Sequence, residues 1–475
     1  MIRLNIKFLG AVEGAGEVTG SRTLVTTPDG LNILIDFGMV QSNMGNIAET
    51  LKWNGRDFEF DVKDIDALII THAHADHANL LPLLIKRGFS GKIITTAPTA
   101  AFCKISFPDS AKIMDGDCTW ANKRRPKNKL SPLYTVEEAT EAVYSMQCYD
   151  YDTKIVLSDY VTVELKSAGH MLGACMPKIT YKDEKDEQII TFTGDTSCKN
   201  SNHPFLKVAD DIGNTDYIVC ESTYGDRTHD KGNPYEILRQ AVLDTCIQNR
   251  KVLIIPVFSM QRSSEVLWIL REIYLKNEKL NKIPIYLDSP MAIKAQNVMD
   301  NHREYWGEEW LERDKQLTNI FDWDVLQYIN TFQESKTLNN LNPKIILASS
   351  GMATGGRILN HLENFLPQKG CKVVFCGYQA EGSLGRKLVE GKQHSVSINR
   401  NQVIIRADID NFSMSSHADY NQLTAFLKTS TRGRLKKVII NHGDIGAVDN
   451  LKKELNRHLK GVKIIKPEYN ADIKL

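Results

Sequence analysis

The stretch THAHADHANLLPLL, residues 71–84, places three histidines and one aspartate within six positions and then becomes apolar. The chain has 12 histidines in 475 residues, so this local concentration is unusual. The preceding segment DALIIT has the composition of a strand, and a helix is expected to begin near Leu81, because Pro82 is tolerated in a first turn. The histidines are therefore predicted to lie in a loop between a strand and a helix.

The spacing within this loop favours a metal site. In extended backbone His72 and His74 point the same way, because side chains alternate with a period of two. Asp76 and His77 follow where the chain turns, so four donor groups converge on one small volume. Imidazole nitrogen and carboxylate oxygen together suit a borderline cation such as zinc. A polar loop without a metal is the simpler alternative, and the fixed spacing disfavours it.

Four donors from one loop cannot complete two metal sites, so further ligands are expected where other strands end. His170 ends the strand-like segment VTVELKSAGH, Asp195 ends IITFTGD and His442 ends KKVIINH. Taken singly, each also fits a turn or capping residue. Three such residues at matching places favour a metal centre.

Composition limits the classes of function. The chain has 59 lysines and arginines and 58 aspartates and glutamates, which gives a formal charge of +1. Any attraction to a nucleic acid must therefore come from a local patch of charge. The nine cysteines are odd in number and form no CxxC pair, which favours reduced thiols and a cytoplasmic location. The first ten residues resemble a strand and not a signal peptide, and no apolar run reaches membrane-spanning length. A soluble protein is expected.

The length predicts more than one domain. Short strands dominate the beginning and the end of the chain, whereas from about Asn233 strands and helices alternate strictly. This alternation is typical of a parallel sheet covered by helices on both faces. Residues 305–332 are predicted to form a helical excursion whose aromatic side chains pack against the domain, with stacking on nucleic-acid bases as the alternative.

The motifs resemble those of a known superfamily. THAHADH, the AGH of His170, the TGD of Asp195 and the LIDFG of Asp36 are similar to the metal-site motifs of the metallo-β-lactamase fold. CESTYGDR with Glu221, SSHADY with His417 and the NHGD of His442 flank a strand-helix insert. This second set resembles the β-CASP nucleases, in particular the bacterial and archaeal relatives of the eukaryotic pre-mRNA 3′-end cleavage endonuclease.

The resemblance implies an α/β fold, an αββα sandwich with an inserted β-CASP domain that is a parallel sheet flanked by helices. The implied bounds are 1–225 and 405–475 for the two parts of the metallo-β-lactamase domain and 226–404 for the insert.

The resemblance also implies two zinc ions. The first would be held by His72, His74 and His170, the second by Asp76, His77 and His442, and Asp195 would bridge them. Asp36 would orient a ligand or the attacking water, His417 would be the general acid, and Glu221 would hold His417 in its protonated form. The catalytic candidates are therefore Asp36, Asp76, Glu221 and His417.

Substrate contacts are expected in the segment ASSGMATGGR, residues 348–357. It runs from a strand through small residues into a helix, so its backbone N–H groups are able to cradle a phosphate, although such turns also serve packing alone. The residues named for this role are Ser349, Ser350, Gly351, Thr354 and Gly355. Arg262 of FSMQR resembles a phosphate-contacting arginine of these nucleases, but the following SSE departs from their usual pattern.

The function that the resemblance implies is zinc-dependent hydrolysis of phosphodiester bonds in single-stranded RNA, in RNA processing or decay. Endonucleolytic and 5′-to-3′ exonucleolytic cleavage use the same catalytic groups. RNA is the expected partner, no membrane is involved, and a homodimer is one route to targeting. The alternatives are a small-ester hydrolase, which has no use for the insert, and a non-catalytic RNA-binding scaffold, which has no use for a complete ligand set.

Overall fold

The computed structural model describes residues 4–13, 18–41, 47–123, 129–198, 207–229, 232–317, 319–431 and 433–475. Contacts divide them into two compact units. Unit 1 holds the described residues up to Thr228 and from Ser416 onward, and unit 2 holds those from His229 to Ser415. The bounds 226–404 expected for the insert stay a prediction, because a boundary between homologous domains is defined by comparison with other chains.

The strands of the described residues are numbered along the chain. They are β1 (Asn5–Phe8), β2 (Thr23–Thr26), β3 (Asn32–Ile35), β4 (Ala67–Ile69), β5 (Lys92–Thr95), β6 (Met146–Cys148), β7 (Ile155–Val156), β8 (Val161–Ser167), β9 (Cys175–Lys182), β10 (Glu187–Phe192), β11 (Tyr217–Cys220), β12 (Val252–Pro256), β13 (Ile285–Asp288), β14 (Leu326–Tyr328), β15 (Lys344–Ala348), β16 (Lys372–Phe375), β17 (Ser395–Ile398), β18 (Asn401–Ile404), β19 (Asp408–Asn411), β20 (Lys437–Ile440), β21 (Lys463–Ile465) and β22 (Asp472–Lys474).

The α-helices are numbered in the same way. They are α1 (Ile47–Asn54), α2 (Ala75–Ala78), α3 (Leu81–Lys86), α4 (Ala97–Asn122), α5 (Val136–Tyr144), α6 (Pro234–Val242), α7 (Arg262–Leu275), α8 (Pro290–Asp300), α9 (Glu308–Leu317), α10 (Phe332–Thr337), α11 (Ile358–Phe365), α12 (Leu384–Glu390), α13 (Tyr420–Ser430) and α14 (Ile445–His458). Short 3₁₀ segments cover Val62–Asp64, Glu278–Lys282 and Arg303–Tyr305, and Leu243–Gln248 is a π-helical turn.

Unit 1 is built on two sheets. Their strand orders in the described residues are β22-β1-β2-β3-β4-β5-β6 and β21-β20-β11-β10-β9-β8-β7. The sheets share one apolar core, to which the first contributes Ile33 and Ile69 and the second contributes Val163 and Ile190. Helices α4 and α14 contact the edge strands β6 and β21. This sandwich confirms the predicted fold class.

Strand β8 shows how the sequence sets these layers. Val161, Val163, Leu165 and Ser167 are buried, whereas the residues between them are half-buried. Because side chains alternate along a strand, the apolar set faces the core. At its carboxyl end, β8 leads directly into the turn that carries His170.

Unit 2 contains a parallel sheet with the strand order β14-β13-β15-β12-β16-β19. Strand β15 is buried along its whole length, as expected for a sheet covered on both faces. The helical excursion predicted for 305–332 is only partly correct, because Leu326–Tyr328 pairs with β13 as a strand. Pairing with a sheet edge outweighs local helix propensity there. Trp306, Trp310 and Trp323 are buried, so these aromatic side chains pack within the unit.

Candidate metal centre

The segment between β4 and α3 carries the first four donor groups. His72 and His74 lie in non-helical backbone, whereas Asp76 and His77 lie on the single turn of α2. The predicted loop therefore contains one turn of helix. Backbone N–H groups of Ser21 and Phe37 donate to the carbonyl oxygens of Asp76 at 2.7 Å and His77 at 2.8 Å, which fixes this turn against the rest of the first sheet.

Gly38 allows the close approach of this turn to the end of β3. A Cβ atom at position 38 would lie 1.6 Å from the carbonyl oxygen of Asp76. That distance is far inside van der Waals contact, so any larger residue would displace the turn. The glycine after LIDF thus helps to place the two donor groups of α2.

Three further donor groups come from the second sheet. His170 follows β8, Asp195 follows β10 and His442 follows β20, and all three are buried. His442 has a φ of 54°, a left-handed conformation that costs a residue with a Cβ about 1–2 kcal/mol. Its N–H donates to the carbonyl oxygen of Ala11 at 2.8 Å, which helps to hold this conformation. The two sheets therefore bring together residues from opposite ends of the chain.

One group of donors is formed by His72, His74, His170 and Asp195, whose ligand atoms all lie within 4.8 Å of one another. Nδ1 of His74 lies 3.0 Å from Nε2 of His72 and 3.3 Å from Nε2 of His170. Oδ2 of Asp195 lies 3.5 Å from Nε2 of His72 and 3.6 Å from Nε2 of His170. Three nitrogens and one oxygen thus surround one point.

A second group is formed by Asp76, His77 and His442. Nε2 of His77 lies 3.1 Å from Nε2 of His442, which lies 3.6 Å from Oδ2 of Asp76. Oδ1 of Asp195 is 3.3 Å from Nε2 of His77. Asp195 therefore turns one carboxylate oxygen toward each group, and all seven predicted ligands come together.

The outer nitrogens of three histidines are held by hydrogen bonds. Nδ1 of His77 donates to Oδ2 of Asp36 at 2.7 Å. Nδ1 of His72 lies 3.1 Å from Oγ1 of Thr71, whose own proton goes to Asp36 at 3.0 Å. Nδ1 of His442 lies 3.1 Å from Oγ1 of Thr223. The Nε2 atoms of all three rings therefore face inward, and each carries a lone pair when its ring is neutral.

The donor set fits divalent cations. Burial lowers the pKa of His72, His74 and His170 below the ordinary value, so these rings are neutral and have a lone pair to donate. Burial has the same tendency at His77, but the carboxylates of Asp195 and Asp36 outweigh it and raise the pKa of His77. Nitrogens that face one another at 3.0–3.3 Å repel unless a cation or proton lies between them.

Glu221 and His417 form a pair beside this centre. Nδ1 of His417 lies 3.0 Å from both carboxylate oxygens of Glu221, and its Nε2 lies 3.8 Å from Oδ2 of Asp195. Burial disfavours the charged ring, but Glu221 and Asp195 outweigh it and raise the pKa of His417 to about 9. Glu221 is itself fixed by backbone N–H groups of Thr196 at 2.8 Å and Thr223 at 3.2 Å.

Sequence reasoning missed three residues of this site. Thr71 and Thr223 orient imidazoles, and the ring of Tyr224 lies parallel to that of His417 at 6.1 Å. Thr71 is the first residue of the quoted THAHADH, and Thr223 and Tyr224 lie within the quoted CESTYGDR. No residue spacing distinguishes them from structural neighbours, because their role depends on contacts between distant segments.

The predicted substrate-binding residues lie in unit 2, after the carboxyl ends of β12 and β15. A hydrogen bond of 2.8 Å from Ser259 Oγ to Ser349 Oγ joins the two loops. Oγ of Ser350 accepts the N–H groups of Thr354 at 3.0 Å and Gly355 at 3.3 Å. The chain segment of residues 349–355 therefore forms a compact loop of small residues, in which Gly351 is also found.

Two arginines beside these loops have acidic partners. Arg262 forms an ion pair with the buried carboxylate of Glu265. Nη1 of Arg357 donates to Asp288 at 2.6 Å and to the carbonyl oxygen of Ile329 at 3.0 Å. Arg357 thus ties the end of the loop to the ends of β13 and β14.

Family models match three stretches of the chain. The metallo-beta-lactamase superfamily matches residues 15–104, the Beta-Casp domain matches 263–388, and the Zn-dependent metallo-hydrolase RNA specificity domain matches 402–467. These matches cover the segment with the histidine motif, most of unit 2 and the segment with His417 and His442.

Curated proteins align over most of the chain. Ribonuclease TTHA0252 of Thermus thermophilus is 30% identical over 438 residues, which are 90% of this chain and 91% of that protein. An RNase J-like protein of Methanocaldococcus jannaschii is 29% identical over 92% of both chains. Endoribonuclease ysh1 of Schizosaccharomyces pombe is 27% identical, and the alignment covers 93% of this chain and 55% of that protein.

Proposed function

The chain belongs to the β-CASP family of the metallo-β-lactamase superfamily, and on that premise we propose that it is a zinc-dependent ribonuclease that hydrolyses phosphodiester bonds of single-stranded RNA. The observation that carries the proposal is the position of Asp195, which turns one oxygen toward each of two donor groups while His417 lies 3.8 Å away. This arrangement suits two cations and one general acid acting on the same bond.

The proposed ligands divide into two sets that share one residue. One zinc ion would be held by His72, His74 and His170 and the other by Asp76, His77 and His442, and Asp195 would serve both. When bound, two divalent cations lower the pKa of a water molecule and neutralise charge on a phosphoryl group. The carboxylate of Asp36 favours the tautomer of His77 with its proton on Nδ1, so that the lone pair on Nε2 is available to a cation.

The proposed general acid is His417. Its Nδ1–H is committed to Glu221, so the proton available for transfer is on Nε2. When water attacks phosphorus, the bond to the 3′ oxygen breaks and Nε2 gives its proton to that oxygen. The products are a 5′-phosphate and a 3′-hydroxyl. Glu221 favours the imidazolium and fixes its orientation.

RNA as substrate is supported by the match to the RNA specificity domain and by the names of the relatives. In unit 2 we assign phosphate contacts to the loop that contains Ser349, Ser350, Gly351, Thr354 and Gly355, and to Arg262. A small-ester hydrolase has no need for the His417–Glu221 pair or for an RNA specificity domain.

We further propose a cytoplasmic location, supported by nine free cysteines of which eight are buried. No helix in the described ranges is long and apolar enough to cross a lipid bilayer. Dimerisation is proposed as one route to RNA targeting, and sedimentation of the purified chain tests it.

The test of function is cleavage of end-labelled single-stranded RNA by the zinc-loaded chain. We expect cleavage, and we expect His417→Ala to lower the rate by about 10²-fold or more while the bound zinc stays the same. His458→Ala, which removes a half-exposed histidine of α14, is the matched control and should cleave like the parent. An inactive zinc-loaded parent contradicts the function, and an unaffected His417→Ala contradicts the acid assignment. Cutting of a circular RNA would establish internal cleavage.

A further inference from the structure

Unit 2 contains a cavity of about 940 Å³ that is separate from the loop of residues 349–357. It lies beside Tyr286 and Lys344, which are at the amino-terminal ends of β13 and β15, and it extends along β14. The loop of residues 349–357 follows the opposite, carboxyl end of β15. We call this cavity the basin. Its volume is at the upper end of the range of about 300–1,000 Å³ for ligand pockets.

The basin concentrates positive charge in a chain whose net charge is only +1. Four cationic side chains line it, Arg250, Lys279, Lys282 and Lys344, against one carboxylate, Glu334. Oε2 of Glu334 accepts backbone N–H groups of the turn before α10, so it belongs to a helix cap. Within the described chain no carboxylate lies at ion-pair distance from the four cations. The charge of the basin therefore favours an anion.

Lys344 holds its ammonium group at a fixed position beside the basin. Its side chain is buried, and its ammonium group donates to the carbonyl oxygens of Leu338 at 2.9 Å and Asn340 at 2.7 Å and to Oδ1 of Asn340 at 2.7 Å. Burial lowers its pKa to about 8, because no carboxylate compensates the charge. An anion in the basin would supply the missing counter-charge without displacing these hydrogen bonds.

Two tyrosines give the basin an aromatic wall. Tyr286 is half-buried, and Tyr328 is 37% exposed. The hydroxyl of Tyr328 accepts a hydrogen bond from Gln296 at 2.6 Å and donates to the carbonyl oxygen of Phe321 at 3.0 Å, which holds the ring in place. A rigid aromatic ring offers a stacking surface to a base at little entropic cost.

Cations beside fixed aromatic rings match the chemistry of a nucleotide. We propose that the basin is a second nucleotide-binding site, in which Arg250, Lys279 and Lys282 hold phosphate, the buried charge of Lys344 adds to the attraction, and a tyrosine ring stacks on the base. The nucleotide is either a unit of an RNA strand or a free mononucleotide. The site is independent of the metal centre, and binding there requires no cleavage.

The test measures binding to the full chain in EDTA, where metal-dependent cleavage is absent. The probes are a fluorescent 12-nucleotide oligouridine, followed by anisotropy, and AMP, followed by calorimetry. The variant is Lys279→Ala with Lys282→Ala, both exposed lysines of a 3₁₀ segment. The matched control is Lys104→Ala with Lys112→Ala, exposed lysines of α4 in unit 1 that give the same change in charge.

We expect the basin variant to weaken oligouridine binding about tenfold and to make the salt slope of binding shallower by about 1.4, as for two lost phosphate contacts. The control should stay within about twofold of the parent. Weaker binding of both probes assigns the site to nucleotides in general, and weaker binding of oligouridine alone assigns it to RNA. Equal behaviour of the basin variant and the control with both probes overturns the proposal.

A third variant, Tyr328→Leu, keeps apolar volume but removes the exposed ring, and it should weaken binding of the same probes about fivefold or more. Thermal melting of each variant without ligand checks that folding is unchanged. Because no step measures cleavage, a chain without ribonuclease activity would still give these results.

Discussion

The hydroxyl of Thr223 is predicted to set the affinity of the second metal position. Its Oγ1 lies 3.1 Å from Nδ1 of His442 and donates to the carbonyl oxygen of the same residue, also at 3.1 Å. Since the hydroxyl proton is used on the carbonyl group, Nδ1 must be the donor to Oγ1. His442 is then protonated on Nδ1 and presents its Nε2 lone pair toward His77 and Asp76.

Thr223→Val keeps the shape of the side chain and removes both hydrogen bonds. The partly buried Nδ1–H then turns to Oδ1 of Asp195, which is 3.3 Å away, and this oxygen is lost to the second donor group. Losing such a partner lowers metal affinity about 10–100-fold, or about 1.4–2.7 kcal/mol. Thr223→Ser retains the hydroxyl and is the matched control.

The assay is a competition titration with a chromophoric zinc chelator, which resolves the two equivalents. In Thr223→Val the dissociation constant of one equivalent should rise about 10–100-fold and the other should change less than about threefold, whereas Thr223→Ser should match the parent. Melting of the metal-free variants separates this effect from general destabilisation. If Thr223→Val binds both equivalents like the parent, the reasoning about the tautomer is wrong.

Three further predictions concern stability. Asp288→Asn leaves Arg357 without its counter-charge and should lower the free energy of unfolding by about 3 kcal/mol in urea denaturation. Gly38→Ala should lower the melting temperature by several degrees because a Cβ would meet the Asp76 turn. Gly116→Ala, at an open position in the last third of α4, should instead raise the free energy of unfolding by about 0.5–1 kcal/mol. The pKa of Lys344 is lowered from 10.5 to about 8, so the folded state binds fewer protons than the unfolded state between these values. The free energy of unfolding of the parent, relative to that of Lys344→Met, should therefore rise with pH across that window, by at most about 3 kcal/mol. Urea denaturation of both proteins at pH 7.5 and at pH 10 measures this difference.

The residues that the sequence identified are those whose chemistry is unusual for their position. His72, His170 and His442 could be grouped because each follows a strand, and strand ends of a sandwich meet at one edge. The pair of Glu221 and His417 came from the family resemblance, and the structure brings the two side chains together at 3.0 Å.

The features that the sequence did not predict depend on contacts between distant segments, which no local sequence pattern reveals. Strand β14 was missed because its three residues are stabilised by pairing with β13, not by their own propensity. Thr223 and Asp288 resemble ordinary loop and strand-end residues, and their partners lie 219 and 69 positions away in the sequence. The basin likewise joins a π-helical turn, a 3₁₀ segment and three strands, none of which is distinctive alone.

The order in which the donor groups occur along the chain has a consequence for biosynthesis. His72, His170 and Asp195 precede unit 2, whereas His417 and His442 follow it. A ribosome-bound polypeptide that stops before β20 therefore lacks the last imidazole, and one that stops before Ser416 lacks the acid as well. The full set of donor groups is therefore present only in a nascent chain that has been translated beyond residue 442.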